Sequence, residues 1–233
     1  MTDTRSVFST VLGVVLMTQA TTAALSRSLF PAQAANASSV AETLTILAAH
    51  AGIARTALLL DVVTALAVVG LAALLHNLLR GTNGPLATTA LVTYALEAGL
   101  LLVSKSFGFA LVTTSLSYAA TPDPALALLG QTLRDAQNTA YTLHLVAFGV
   151  GAVGFYYLLT RAKPIPSWLA WWGLLAVIPI PVCAVVLLLG QQPPPAVMLP
   201  YLPWEWFTGL YVLIKGLRPS PRVITRECTI DLT

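Results

Sequence analysis

Apolar residues run through this chain in six blocks, separated by short stretches rich in Gly, Pro, Ser, Thr and basic residues. At about 1.5 Å of rise per helical residue, roughly 20 such residues cross a hydrocarbon core of about 30 Å. On that measure transmembrane helices are expected at about 7–29, 53–79, 86–112, 136–160, 168–189 and 197–214. The second is the clearest. Arg55–Arg80 is a long apolar run with one carboxylate, Asp61, set inside it and a basic residue at each end.

The connecting stretches carry their own signals. Pro31–Ser39 is a small-residue loop in which Ser38 or Ser39 is placed to cap a helix with Glu42 in its first turn. That helix, about Val40–Ala51, is too short to span and is expected at the surface or leading into the second span. Gly81-Thr82-Asn83-Gly84-Pro85 is a tight turn, Thr113–Pro124 a polar loop, and Ala125–Asp135 a short interfacial helix. Arg161–Pro166 is a basic turn and Gln191–Pro195 a stiff one. Pro179 and Pro181 predict a kink in the fifth span, whose start carries an aromatic belt of Trp168, Trp171 and Trp172. In the fourth span Gly149 and Gly154 offer a small-residue face for a neighbouring helix, with Gly151 on another. The first block has a rival interpretation, because Ala32-Gln33-Ala34 looks like a signal-peptide cleavage site. The length of the block, and Arg27 between it and that site, favour an uncleaved helix.

Composition agrees with the pattern. Of 233 residues 57% are hydrophobic and 9% charged, where soluble domains carry about a quarter charged. The fold class is therefore all-α, a polytopic transmembrane helical bundle in one domain over residues 1–218, with a polar tail at 219–233. The net charge of +3 does not point to nucleic acid, because the basic residues are scattered at helix ends. Six spans put both termini on one side. That side carries Arg5, Arg80, Arg161, Lys163, Lys215, Arg218, Arg222 and Arg226, against Arg27, Arg55 and Arg134 on the other. Positive residues stay inside, so a multi-pass cell-membrane protein with both termini cytoplasmic is expected. Cys183 lies in an apolar block and Cys228 in the tail, which implies no disulfide framework. No CxxC or His–Cys cluster is present, and His50, His76 and His144 fall at different depths, so neither metal nor cofactor is expected.

The candidate chemistry lies in ionisable residues inside the spans, which are expensive there and mark functional sites by default. By helix depth Asp61, Glu97, Lys105, His144 and Glu205 all fall at the midplane or in the outer half, with only His76 near the inner edge. That asymmetry suggests a polar cavity open to the outside. Arg55 and Asp61 are six residues apart and point ~120° from each other; Glu97 and Lys105 are offset by ~80° and ~12 Å. Each therefore needs a partner on another helix. Asp61 and Lys105 suit an interhelical ion pair, with outward snorkelling the alternative for the lysine. Glu205, between Trp204 and Trp206, suits proton donation or a carboxyl satisfied by a neighbouring hydroxyl. His144 suits either a hydrogen-bonded core histidine or a ligand.

Three sets of residues together resemble the bacterial membrane family catalogued as domain of unknown function 4386. They are Arg55-x5-Asp61 at the head of a long span; Phe148-Gly149…Gly154-Phe155-Tyr156…Arg161…Pro166…Gly173; and Glu205 in the final span followed by Leu213–Arg218. The resemblance covers about residues 8–218. It implies a helical membrane bundle of six or so spans with no assigned activity, and it carries over Arg55, Asp61 and Glu205 as family-typical polar positions. The chain departs from the pattern in Lys105, in the two Trp of its final span, and in lacking an Arg-Ser-Gly turn after the fourth span.

The first functional expectation is a membrane protein with an outward-facing cavity for a small or lipophilic ligand, lined by Arg55, Tyr94, Glu97, Lys105, His144, Trp204 and Trp206. Membrane lipid is the expected partner. The alternative is an intramembrane acid–base enzyme of the isoprenoid-cyclase kind. Asp61 or Glu205 would be its general acid, and Trp204, Trp206 and Tyr94 would steady a carbocation. A small transporter or a scaffold subunit is the second alternative, although no internal repeat or matched pair of broken helices supports transport.

Overall fold

The computed structural model describes residues 2–35, 37–194, 197 and 200–218. Among these, every regular element is a helix: α1 (Thr2–Leu29), α2 (Ala32–Ala35), α3 (Val40–Ala49), α4 (Ala51–Leu79), α5 (Gly84–Ala120), α6 (Pro124–Ala162), α7 (Ser167–Val177), α8 (Pro179–Leu188) and α9 (Tyr201–Lys215). Five stretches are long and apolar enough to cross a membrane: α1 from Ser6, α4, α5, α6, and α7 with α8 together. The sixth expected span is the shorter α9, whose 15 residues rise only about 22 Å. The polar tail at 219–233 lies outside the described residues.

Local chemistry sets most of the boundaries. Ser39 caps α3 by accepting the Glu42 N–H, while the Glu42 carboxylate takes the Ser38 N–H and hydroxyl. Asn83 caps α5 with Pro85 in the first turn, and Asp123 caps α6 behind Pro124. Lys163, in the left-handed conformation at φ 55°, stops α6. The chain then turns through Pro164 and Pro166 into α7. The kink expected in the fifth span is a break at Ile178, where Pro179 lacks an N–H for the helix to use.

Two expectations need correction. Thr113–Pro124 is not a loop, since α5 runs on to Ala120. Thr113, Thr114 and Ser115 turn their hydroxyls back onto carbonyls four residues earlier, so polar side chains are satisfied without leaving the helix. Nor is Ala125–Asp135 a separate helix. With no proline between 125 and 162, α6 is continuous over 39 residues, about 58 Å.

The helices close a ring. Taken in order, α1 packs on α4, α4 on α5, α5 on α6, α6 on α7 and α8, α7 on α9, and α9 back on α1. One end, the basal face, gathers the α4–α5 and α6–α7 turns and the end of α9. There the Leu217 N–H meets the Ser9 hydroxyl and the Arg218 N–H meets the Pro164 carbonyl. At the opposite, distal end α3 lies over α5 and α6, with Leu44 against Gly130, and forms a small second core with Leu47, Leu58, Leu111 and Val112. The main core fills the ring with Leu12, Leu16, Leu71, Tyr94, Phe155, Tyr156 and Trp204. Glycines allow close approaches between the helices. Gly149 meets the Pro181 ring of α8, Gly151 the Tyr94 ring of α5, and Gly173 the indole of Trp204. Gly149 and Gly154 thus serve different neighbours, α8 and α5, rather than one shared face.

Candidate functional site

The isolated charges of the sequence meet across helices. Asp61 of α4 and Lys105 of α5 form an ion pair at 2.8 Å, with their side chains 15% and 11% exposed. The Lys105 ammonium also stands 5.1 Å over the ring of Tyr141 on α6, within cation–π range. Arg27 of α1 donates to the hydroxyl of that same tyrosine at 3.4 Å. The Tyr141 ring lies 5.3 Å from the imidazole of His144, whose Nδ1 is 3.4 Å from the Glu97 carbonyl and 3.8 Å from the Glu97 carboxylate.

Glu205 anchors a second group. Its Oε1 accepts from Tyr201 Oη at 2.6 Å and from Gln19 Nε2 at 2.8 Å, and Tyr201 Oη stands 3.0 Å from Tyr156 Oη. Helix spacing makes this possible, since Tyr201 is one turn before Glu205 on α9 and faces the same way. Aromatic rings wrap the group. Tyr156 is 4.4 Å from Trp204 between centroids, Phe148 is 5.3 Å from Tyr201, and Tyr94 packs edge-on to Phe155 at 5.2 Å. Trp204 itself is pinned by its Nε1–H on the Leu169 carbonyl and by Gly173 beneath the indole.

Asp61, Lys105, His144 and Glu97 therefore belong to one contiguous set, and Glu205 to a second, joined to it through the Tyr94, Phe148 and Tyr201 rings, with Trp204 against Tyr156. They are packed in rather than lining an open vestibule: Glu97 is 2% exposed and Glu205 7%. Two expected members fall outside. Arg55 is exposed on α4, and Trp206 is 37% exposed with its Nε1–H near Thr21. Four members went unforeseen: Gln19, Tyr141, Tyr156 and Tyr201. None carries a charge, so none stands out in an apolar run. The placement of Tyr201 one turn before Glu205 was the available clue.

Among the described residues four buried side-chain polar atoms have no hydrogen-bond partner: Gln19 Oε1, Tyr94 Oη, Glu97 Oε2 and Thr208 Oγ1. Thr208 lines a cavity between α1, α4, α6 and α9, bounded by Leu12, Leu16, Leu71, Leu75, Tyr156 and Trp204 among others. This cavity leaves about 20 Å³ for a water-sized occupant, and its walls are apolar except for the hydroxyls of Thr208 and Tyr156. So the free space lies one turn along α9 from Glu205, on its basal side, and Tyr156 joins the two.

No curated protein and no solved structure matches the chain. A family model does, from residue 11 to residue 216, nearly the whole ring and every member of the buried polar set. The chain belongs to the family described as domain of unknown function (DUF4386).

Proposed function

We propose that this membrane bundle binds a small lipophilic molecule between α1, α4, α6 and α9, with the Glu205–Tyr201–Tyr156 chain at the polar end of the site. The observation that carries this is the unpartnered Thr208 hydroxyl, 3% exposed, in the wall of an otherwise apolar cavity. A buried hydroxyl without a partner costs about 1–3 kcal/mol, which a guest with a polar group would recover. A guest larger than one water has to displace side chains of this wall, Tyr156 among them. The basal face belongs in the cytoplasm on the charge count, so the guest reaches the site from the inner half of the bilayer, not from outside.

Native mass spectrometry of the protein released from mild detergent tests this. A lipophile is expected to co-purify with the parent chain and to be lost in Thr208→Val, which keeps side-chain shape and removes the hydroxyl. A parent chain that carries no guest, and accepts none from a lipid extract, refutes the proposal.

A second reading, an intramembrane acid–base enzyme, is favoured by one contact. The 2.6 Å Tyr201–Glu205 bond links a carboxyl to a hydroxyl relay that ends at Tyr156 in the cavity wall, beside the face of Trp204. Turnover of the co-purified lipophile in the parent chain, absent in Glu205→Gln, separates the enzyme from the binding protein.

A further inference from the structure

At the end of the ring opposite the apolar cavity, we propose a second site, for the anionic head group of a phospholipid, held by Arg27 with Tyr141 and Lys105 where α1 faces α6. Height along the helices is the first observation. Arg27, Asp61, Lys105 and Tyr141 each stand about 20 residues, roughly 30 Å, from the basal ends of α1, α4, α5 and α6. That is the thickness of a hydrocarbon core. With the basal turns at one edge of the core, these four residues meet at the other edge, next to the lipid phosphates. The surface changes at the same level. On its basal side Leu96, Val103 and Leu143 are exposed on α5 and α6; beyond it Thr113, Asp135 and Asn138 are among the exposed residues.

The second observation is the room there. The helices packed on α1 are α4 and α9. Glu205 of α9 bonds Gln19, and α9 starts one turn further on, at Tyr201. The last turn of α1 therefore runs past the start of α9, and Arg27, exposed, reaches α6 with its side chain to donate to the Tyr141 hydroxyl. Ala23 and Ala24 on α1 and Leu145 on α6, about one turn to the basal side and partly exposed, give an acyl chain apolar walls. The third observation is charge. Among the described residues Arg27 has no acidic partner, whereas Lys105 has Asp61. Lys105 stands 5.1 Å over the same Tyr141 ring. Two cations on one phenol thus face one carboxylate at this height, and one positive charge is left over. Glu97, eight residues along α5, lies about 12 Å towards the basal end. A cationic head is repelled by that surplus, and a zwitterionic one brings no net charge to answer it. A phosphodiester of net negative charge answers it, because a guanidinium grips phosphate through parallel N–H bonds. The Tyr141 hydroxyl, while accepting from Arg27, keeps its own hydrogen to donate.

Native mass spectrometry of the full chain in mild detergent, titrated with phosphatidylglycerol or phosphatidylcholine of the same acyl chains, reads the preference. Phosphatidylglycerol is expected to bind roughly tenfold tighter. Arg27→Gln is expected to bring it to the level of phosphatidylcholine and to leave phosphatidylcholine unchanged. Arg55→Gln removes an exposed arginine from the neighbouring α4 and is expected to keep the preference. Tyr141→Phe keeps the ring under Lys105 and is expected to reduce the preference to roughly threefold; it decides the matter should Arg27→Gln not fold. Glycerol 1-phosphate, a head group without chains, is expected not to displace the lipid. Equal binding of the two lipids overturns the site, as does a preference that survives intact in Arg27→Gln or Tyr141→Phe, or one that Arg55→Gln abolishes as fully. Displacement by glycerol 1-phosphate assigns the site to a soluble phosphate and overturns the lipid.

Discussion

The Asp61–Lys105 pair gives the sharpest energetic prediction. At 2.8 Å two unit charges attract by ~6 kcal/mol at an effective dielectric of about 20. Desolvation of both groups offsets much of that, and removing one partner from a buried pair costs about 3–5 kcal/mol because the survivor stays charged and alone. Here the side chains are 11% and 15% exposed, so some solvent screening remains. Polar contacts between membrane helices also average well under their soluble counterparts, about 0.6 kcal/mol with a maximum near 1.7. We therefore expect Lys105→Met to destabilise by about 2–3 kcal/mol. Asp61→Asn should cost less, about 1–2 kcal/mol, since Lys105 keeps the Tyr141 ring face. The double variant should lie within about 1 kcal/mol of the parent, a coupling of about 3 kcal/mol. Helical circular dichroism during titration of dodecyl sulfate into mixed micelles measures all four corners of the cycle. A coupling below about 0.5 kcal/mol would sink the claim that this pair sets the register of α4 on α5.

Three further outcomes follow from named contacts. Gly149→Ala and Gly173→Ala place a methyl into the Pro181 ring and the Trp204 indole; each should lose about 1–3 kcal/mol in the same titration, whereas Gly99→Ala, with open space around it, should lose nothing. The Ser38 hydroxyl and N–H hold the Glu42 carboxyl below its ordinary value of 4.5. Because the folded group is the stronger acid, its support for α3 is present above about pH 4.5 and fades as pH falls through the folded value. Hydrogen exchange of the α3 amides should therefore speed up towards pH 3 beyond its intrinsic pH dependence, and Glu42→Gln should remove that excess. Finally, single cysteines replacing Ser38 and Lys163, at opposite ends of the ring, should react from opposite sides of the membrane, with the Lys163 site labelled only from the cytoplasm. Labelling of both from one side would contradict the topology.

What the sequence made legible follows from cost. Charges are dear in hydrocarbon, so Asp61 and Lys105 stood out and their pairing across α4 and α5 could be argued from depth alone. The same logic found Glu97, His144 and Glu205. Gln19, Tyr156 and Tyr201 are neutral, and nothing in an apolar run separates a tyrosine that bridges two helices from one that fills space. Polarity also misled at Thr113–Ser117, since hydroxyls satisfied by their own helix look, in sequence, like a loop. Pro179 announced the break after α7. The seam where Trp204 lies on Gly173 needed coordinates, because contacts between α7 and α9 depend on how the ring closes.

That closure has a consequence for biogenesis. The bond between Gln19 and Glu205 joins residues 186 apart in the chain, and the backbones of α1 and α9 touch at Gly13 and Gly209. While the ribosome is still making the middle helices, α1 waits in the bilayer with its amide bare and one flank unclad. The Gln19 amide gains its Glu205 partner only once the last helix is in place. A product that stops before residue 201 lacks α9 and leaves that seam open.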